Sequence, residues 1–267
     1  MKLPKFGSVT NPTASVLKEI DIIGKSGFDY VEINIEEPLG FPEVLFKNKD
    51  EIRSLLKAHG MFAIAQAPWW AELGTLHEVV RKAWIKRMKE IIDISNKLGI
   101  KNLNLHSHAR GMVLINQKTK KQVLDNYVLT LEQLLEYSRK NKIILTFENT
   151  AERLEITDYD DYKYIVDRVK EIPLVLDIGH ALIHWRNKGI VKFIRTFGDR
   201  IETVHFHDNN GKRDQHKPIG TGILDYKRIV AELKRINFDR NVTIEVFPRE
   251  KYSVTHSRDK LKRLWMK

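Results

Sequence analysis

The sequence contains no cysteine among its 267 residues. Disulfide bonds, thiolate zinc sites and cysteine nucleophiles are therefore excluded, and any metal site must be built from histidine, aspartate, glutamate or amide side chains. The chain also lacks an apolar run of about 18 residues, the length that a membrane helix needs. Its first segment, residues 1–7, lacks the apolar stretch of a signal peptide. We therefore expect a soluble cytoplasmic protein without a membrane partner.

Glycine-rich phosphate turns are also missing, since the chain has neither a G-x-G-x-x-G nor a Walker pattern. What the chain has instead is an alternation of short apolar, β-branched runs with longer amphipathic segments, which indicates parallel strands joined by helices. The predicted strands are Lys5–Thr10, Tyr30–Ile35, Phe62–Ala67, Asn102–His106, Ile143–Glu148, Leu174–Ile178, Thr203–His207 and Val242–Phe247. Eight strand-then-helix units favour a closed (β/α)8 barrel over an open nucleotide-binding sheet. We predict an α/β fold, a single TIM-barrel domain over residues 1–267.

Residues typical of helix ends support this alternation of strands and helices. Helix starts are predicted near Asn11–Thr13 and at Asp158, and helix ends at Gly27, Gly60 and Gly99. The segment Ser107–Lys121 is predicted to be a long loop at the active face.

Basic residues exceed acidic ones by 11, and the pI is near 9.6. This balance favours an anionic partner, either a phosphorylated sugar or nucleic acid. Lys212, Arg213, Lys217 and Arg249 fall in the predicted loops after strands seven and eight, which commonly bind phosphate in such barrels. We predict that they contact substrate; ordinary solvated loop charges are the alternative.

Polar residues close four successive predicted strands. They are Glu148, Asp177, His205 and Glu245. Any one of them could be an ordinary hydrogen-bonded group, but the carboxyl ends of barrel strands converge on one pocket. Three carboxylates in one pocket would raise one another's pKa unless a cation neutralised them. The sequence therefore predicts a divalent metal site whose oxygen and imidazole ligands suit Mn²⁺, Co²⁺, Mg²⁺ or Zn²⁺.

Other polar and aromatic residues are predicted to surround this site. His207 lies two residues after His205, so on a strand both side chains share a face and His207 is a candidate substrate contact. Trp69 and Trp70 follow strand three and could stack on a sugar ring or pack against a neighbouring loop or subunit. The sequence leaves the oligomeric state open, a homo-oligomer included.

At these residues the chain resembles the xylose isomerase-like barrels, which include sugar (phosphate) isomerases and epimerases as well as apurinic/apyrimidinic endonuclease IV. The resemblance covers nearly the whole chain. In the isomerase and epimerase branch it implies that Glu148, Asp177, His205 and Glu245 bind one metal. It also implies that Glu148 and Glu245 exchange the substrate proton and that His180 contacts substrate oxygens.

The endonuclease IV branch resembles the chain at a larger set of residues, which in that family hold three zinc ions: His106, Glu148, Asp177, His180, His205, Asp214, His216 and Glu245. One position departs, because Gln66 in the run Gln-Ala-Pro-Trp stands where that family has histidine. Glutamine is a weak ligand beside imidazole, so one zinc position loses a partner. We therefore expect His106, His180, Asp214 and His216 to bind a second metal or substrate, and Gln66 and Trp69 to contact substrate.

The leading interpretation is a metal-dependent isomerase or epimerase that acts on a sugar or sugar phosphate through an enediolate, with Glu148 and Glu245 as base and acid. The alternative is a nuclease that cleaves DNA at abasic sites, supported by the basic pI and the larger ligand set. A third interpretation is a barrel that binds metal or ligand without turnover.

Overall fold

Eight parallel strands form a closed barrel in strand order β1 to β8. The computed structural model describes residues 2–109, 116–151, 156–247 and 253–267. The strands are β1 (Lys5–Val9), β2 (Tyr30–Asn34), β3 (Phe62–Gln66), β4 (Asn102–His106), β5 (Ile144–Glu148), β6 (Leu174–Asp177), β7 (Ile201–Phe206) and β8 (Asn241–Ile244). The predicted (β/α)8 fold is confirmed; the fourth strand has the predicted bounds, and the bounds of the others differ from the prediction by at most three residues.

Helices cover the outside of the barrel. In the described part of the chain they are α1 (Val16–Lys25), α2 (Pro42–Lys47), α3 (Lys49–Ala58), α4 (Glu78–Leu98), α5 (Gln117–Lys140), α6 (Tyr159–Arg168), α7 (Ile178–His184), α8 (Arg186–Phe197), α9 (Tyr226–Arg235) and α10 (Ser253–Met266). Strands buried on both faces consist of continuous apolar runs, which is why the runs are recognisable in the sequence. No helix in the described ranges is both long and apolar enough to cross a bilayer.

The three glycines predicted to end helices do so with left-handed backbone. Gly27, Gly60 and Gly99 have φ values of 73°, 64° and 76°, and each lies between a helix and the next strand. A residue with a Cβ atom is strained in this conformation, so glycine is favoured.

Two predicted boundaries were wrong for local reasons. The side chain of Asn11 accepts a 2.9 Å hydrogen bond from the backbone N–H of Thr13, and this turn delays the start of α1 to Val16. The Asn116 side chain accepts hydrogen bonds from the N–H groups of Lys118 and Thr119. Helix α5 therefore begins at Gln117, inside the segment that we predicted to be a loop.

Strand register brings the polar strand ends to one level. His106 is paired with Glu148 across β4 and β5, and Asp177 with His205 across β6 and β7. On the other side of the barrel Asn34 is paired with Gln66. Register partners project to the same side of a sheet, so these side chains meet at the carboxyl end of the barrel.

Candidate metal centre and active site

The structure brings together the four residues predicted to bind metal. Glu148 and Asp177 end β5 and β6, His205 lies in β7, and Glu245 directly follows β8. All four are buried, and one ligand atom of each lies within 4.8 Å of the others. We call these four residues cluster 1.

The Nδ1 atom of His205 lies at the centre of cluster 1. It is 3.1 Å from Oε2 of Glu245, 3.4 Å from Oε1 of Glu148 and 3.8 Å from Oδ2 of Asp177. These four atoms are buried, and none makes a well-aligned hydrogen bond to the part of the chain that the structure describes. Buried polar atoms without partners are costly and rare. A cation among them would satisfy all four, so the donor set fits a divalent metal ion.

The charges of cluster 1 favour ionised carboxylates. Burial alone would raise the pKa of Asp177, but the imidazoles of His180 and His207 outweigh it and hold that pKa well below its ordinary range. Burial opposes ionisation of Glu148 too, yet the nearby rings of His106 and His205 lower its pKa. Ionised carboxylates are the form that binds metal ions.

The second carboxylate oxygen of Glu148 is held from β4. Oε2 accepts a hydrogen bond from the side-chain amide of Asn104, and Nε2 of His106 lies 3.3 Å from the same oxygen. Oε1 is thereby left facing His205. His106, predicted to bind a second metal or substrate, thus contacts Glu148 and also lines a cavity that Glu245 shares.

Cluster 2 consists of His180, His207, Asp214 and His216, whose ligand atoms also lie within 4.8 Å of one another. Oδ2 of Asp214 is 2.8 Å from Nε2 of His216 and 3.3 Å from Nε2 of His180. Burial alone would lower the pKa of His216, but its hydrogen bond to Asp214 raises it to about 9. The pKa of Asp214 is held far below its ordinary value, because the charge and hydrogen bond of His180 outweigh burial.

Two histidines of cluster 2 are oriented by backbone carbonyls. Nδ1 of His180 donates to the carbonyl of Asn149 at 3.0 Å, and Nδ1 of His216 donates to that of Glu245 at 2.8 Å. A carbonyl can only accept, so both rings turn Nε2 toward Asp214. This arrangement is typical of histidines that bind metal through Nε2.

A buried aspartate fixes the loop that carries Asp214 and His216. The Asp208 carboxylate accepts hydrogen bonds from the backbone N–H groups of Asn209, Gly220, Gly222 and Leu224, at 2.9 to 3.1 Å. Asp208 and Lys217 also exchange two backbone hydrogen bonds. Asp208 was not predicted from the sequence, although four N–H partners make it the main support of this loop.

A cavity of about 290 Å³, near the small end of the roughly 300–1,000 Å³ typical of ligand pockets, is lined by one residue of cluster 1 and three of cluster 2. Its wall comes from both sides of the barrel: Pro12, Asn34, Glu36, Gln66, Trp69, His106, Thr150, Ala151, His180, Asp214, His216, Glu245 and Phe247. The two tryptophans have different surroundings. Trp69 lines the cavity and is 40% exposed, whereas Trp70 packs edge-on against Trp84 with ring centroids 5.2 Å apart.

Several residues predicted to contact substrate lie elsewhere. Lys212, Arg213 and Lys217 are not among the residues that line the cavity. Arg249 lies outside the described residues. His207 is fully buried beneath the wall, where its Nε2 lies 3.0 Å from Oδ1 of Asp177.

Gln66 lines the cavity at the position where a histidine was expected by resemblance. Its amide nitrogen donates to Oδ1 of Asn34, which orients the side chain. Its Oε1 atom is buried and has no hydrogen-bond partner among the described residues. Gln66 therefore offers a free acceptor beside the cavity.

The acidic residues of the second strand were not predicted from the sequence. Glu32 lies inside β2 and Glu36 follows it; both are buried, and Glu36 lines the cavity. Burial, helped by the charge of Glu245, raises the pKa of Glu36 to about 7. A polar residue near the end of an apolar run was the signal at the later strands, and the same signal is present at Glu36 but not at Glu32.

Comparison with known proteins agrees with this architecture. A family model described as xylose isomerase-like TIM barrel matches residues 20–264. Two uncharacterized proteins of Methanocaldococcus jannaschii are each 26% identical, one over 65% of this chain and 66% of the relative, the other over 90% and 83%.

Solved structures show the same fold. The crystal structure of a D-tagatose 3-epimerase-like protein has a TM-score of 0.85 at 23% identity, covering 98% of this chain and 97% of the other. The structure of an L-ribulose 3-epimerase has a TM-score of 0.81 at 15% identity, covering 99% and 95%. A D-allulose 3-epimerase from Methylomonas sp. has a TM-score of 0.79 at 18% identity, covering 99% of both. With its closed barrel and this family match, the chain belongs to the xylose isomerase-like TIM barrel family.

Proposed function

We propose that the protein is a divalent-metal-dependent isomerase or epimerase that acts on a small sugar. The observation that carries the proposal is cluster 1: four buried, unpartnered ligand atoms converge, and one of the four residues, Glu245, also lines a cavity of small-molecule size. The named sugar 3-epimerases that share this fold support the choice of reaction.

Glu148, Asp177, His205 and Glu245 would hold the ion, which would polarise the sugar carbonyl and acidify the adjacent C–H bond. Glu148 and Glu245 come from β5 and from the end of β8, so they reach the site from different sides. In the proposed reaction one of these glutamates removes the proton and the other returns one to the opposite face of the sugar. Asn104 and His106 hold the outer oxygen of Glu148 and leave Oε1 to face the reacting centre.

The cavity wall suits a polyhydroxylated substrate. Glu36, Gln66 and His180 offer hydrogen-bonding groups, and Trp69 and Phe247 offer exposed aromatic surface for the C–H faces of a sugar. Among the described residues the wall includes no lysine or arginine. Groups that bind substrate hydroxyls discriminate strongly between sugars, because a sugar that lacks one of these hydroxyls leaves a buried polar group of the protein without a hydrogen-bond partner.

Metal binding and proton exchange test the proposal together. Chelator-treated protein is reloaded separately with Mn²⁺, Co²⁺, Mg²⁺ and Zn²⁺, and bound metal is measured by elemental analysis. Each form is then incubated in D₂O with D-tagatose, D-fructose, D-allulose and L-ribulose, and deuterium incorporation and product sugars are measured. We expect metal-dependent exchange with at least one ketose, and Asp177→Asn should abolish both exchange and the tightest metal site. A loaded wild type that exchanges no ketose proton would contradict the proposal.

A second candidate function, cleavage of DNA at abasic sites, is favoured by cluster 2. His180, Asp214 and His216 form a second site with histidine rings oriented for metal, as multi-metal phosphodiester hydrolysis requires. Gln66 in place of a histidine argues against a complete trinuclear site. Incision of an abasic duplex by zinc-loaded protein, lost in Asp214→Asn, would establish this function instead.

A further inference from the structure

A buried carboxylate lies directly behind His205 and has no place in the function proposed above. Glu32 is fully buried in β2, and its Oε2 lies 3.1 Å from Nε2 of His205. In the closed barrel β2 is bonded to β1 and β3, whereas His205 belongs to β7. The contact therefore crosses the barrel interior, below cluster 1.

Glu32 is itself fixed by a chain of buried hydroxyl groups. The Thr243 hydroxyl donates to Oε2 of Glu32 at 2.6 Å. Because that proton is used, the hydroxyl of Tyr30, which lies 2.7 Å from Thr243 Oγ1, must donate to Thr243. A Cβ atom at Gly7 would lie 2.2 Å from the Tyr30 ring, so glycine at this position makes room for the ring.

This chain of hydroxyl groups holds an acceptor oxygen of Glu32 against one particular nitrogen of His205. Oε2 of Glu32 already accepts the proton of Thr243, so Nε2 of His205, 3.1 Å away, is the nitrogen placed to donate to it, although the contact is not aligned as a hydrogen bond in this structure. The other nitrogen, Nδ1, is the atom that faces Glu148, Asp177 and Glu245. In a neutral ring, Nδ1 then has its lone pair directed into cluster 1.

We propose that Glu32 is a positioning residue for the metal centre: it fixes the ring and tautomer of His205 so that Nδ1 is the ligand atom, and it increases the basicity of that atom. The inference rests on the metal centre proposed above. Carboxylate partners of metal-binding histidines typically change metal affinity by about 10- to 100-fold.

The test is a comparison of Mn²⁺ dissociation constants in full-length, chelator-treated protein. Glu32→Gln preserves the shape of the side chain and removes its charge, so we expect the dissociation constant to rise by about 10- to 100-fold. Glu202→Gln is the matched control: Glu202 also lies on a barrel strand, where it accepts a hydrogen bond from Asn102 at the amino end of the barrel. We expect Glu202→Gln to bind Mn²⁺ as the wild type does.

The tautomer can be observed without any variant at position 32. Nitrogen NMR of the zinc-loaded wild type should show His205 protonated at Nε2 with Nδ1 bound, the resonance being assigned by its loss in His205→Gln. A metal-bound Nε2 would overturn the inference, as would equal Mn²⁺ affinity in Glu32→Gln and wild type. If the wild type binds no divalent ion at all, the proposed metal centre fails.

A second variant covers the case in which Glu32→Gln does not fold. Thr243→Val removes the donor to Glu32 and should still weaken Mn²⁺ binding. Unchanged affinity in Thr243→Val would count against the inference.

Discussion

The backbone carbonyl of Glu245 accepts a 2.8 Å hydrogen bond from Nδ1 of His216, while the side chain of Glu245 faces His205. One residue therefore belongs to cluster 1 through its carboxylate and orients a histidine of cluster 2 through its backbone. A shift of the segment after β8 would disturb both clusters at once. The two clusters should therefore be treated as coupled in any experiment that changes either one.

Removal of metal should destabilise the protein. A ligand at about 1,000 times its dissociation constant raises the free energy of unfolding by about 4 kcal/mol. For a chain of this size that corresponds to a change in Tm on the order of 10 °C. Calorimetry with and without a chelator measures the change. Asp177→Asn should show no metal-dependent increase; an equal increase in that variant would place the ion elsewhere.

Glu148→Gln and Glu245→Gln should each lower kcat for ketose epimerisation by about 10²- to 10⁴-fold, the usual contribution of a general acid or base. Each variant also loses a charged ligand, so metal content must be measured on the same samples. A variant that is loaded with metal and retains wild-type kcat would show that its glutamate does not transfer the proton.

Glu36→Gln should alter the pH dependence of stability. The pKa of Glu36 in the folded protein, about 7, lies above its ordinary value of 4.5. The unfolded chain therefore ionises first as pH rises, and the stability contributed by the protonated group, complete below about pH 4.5, is lost as pH passes through 7. Glutamine stays neutral, so relative to wild type the variant should gain about 3 kcal/mol between about pH 4.5 and about pH 8.

Thermal unfolding across that pH range measures this difference. Glu37→Gln, at the exposed neighbouring residue, is the control and should track the wild type. A Glu36→Gln curve parallel to the wild-type curve would mean that Glu36 is ionised throughout.

Trp69→Ala and Trp70→Ala should separate binding from packing. Trp69 lines the cavity, so its loss should raise KM about tenfold with little change in Tm, because an aromatic contact to substrate is removed. Trp70 packs on Trp84, so its loss should cost on the order of 1–3 kcal/mol of stability and leave KM unchanged. Steady-state kinetics with the best ketose and thermal unfolding give both readouts; the reverse pattern would exclude Trp69 from the substrate site.

The second strand shows which site residues a local pattern can reveal and which it cannot. Polar residues at the ends of the later strands pointed to cluster 1, and the same pattern at the second strand also marks Glu36. Glu32 lies in the middle of its strand, where a lone charged residue has no local signal. Its contact with His205 on β7 forms only when the barrel closes.

The sequence by itself determined the barrel and which four residues meet in cluster 1, because strand periodicity and polar strand ends are local patterns that place residues on one face. Only the tertiary structure decided which atoms meet. It separated Trp69 from Trp70, buried His207 behind the cavity wall, and placed Lys212, Arg213 and Lys217 away from that wall. The physical reason is that contacts across a closed barrel depend on strand register and on hydrogen bonds such as those of Asp208, which join residues far apart in the chain.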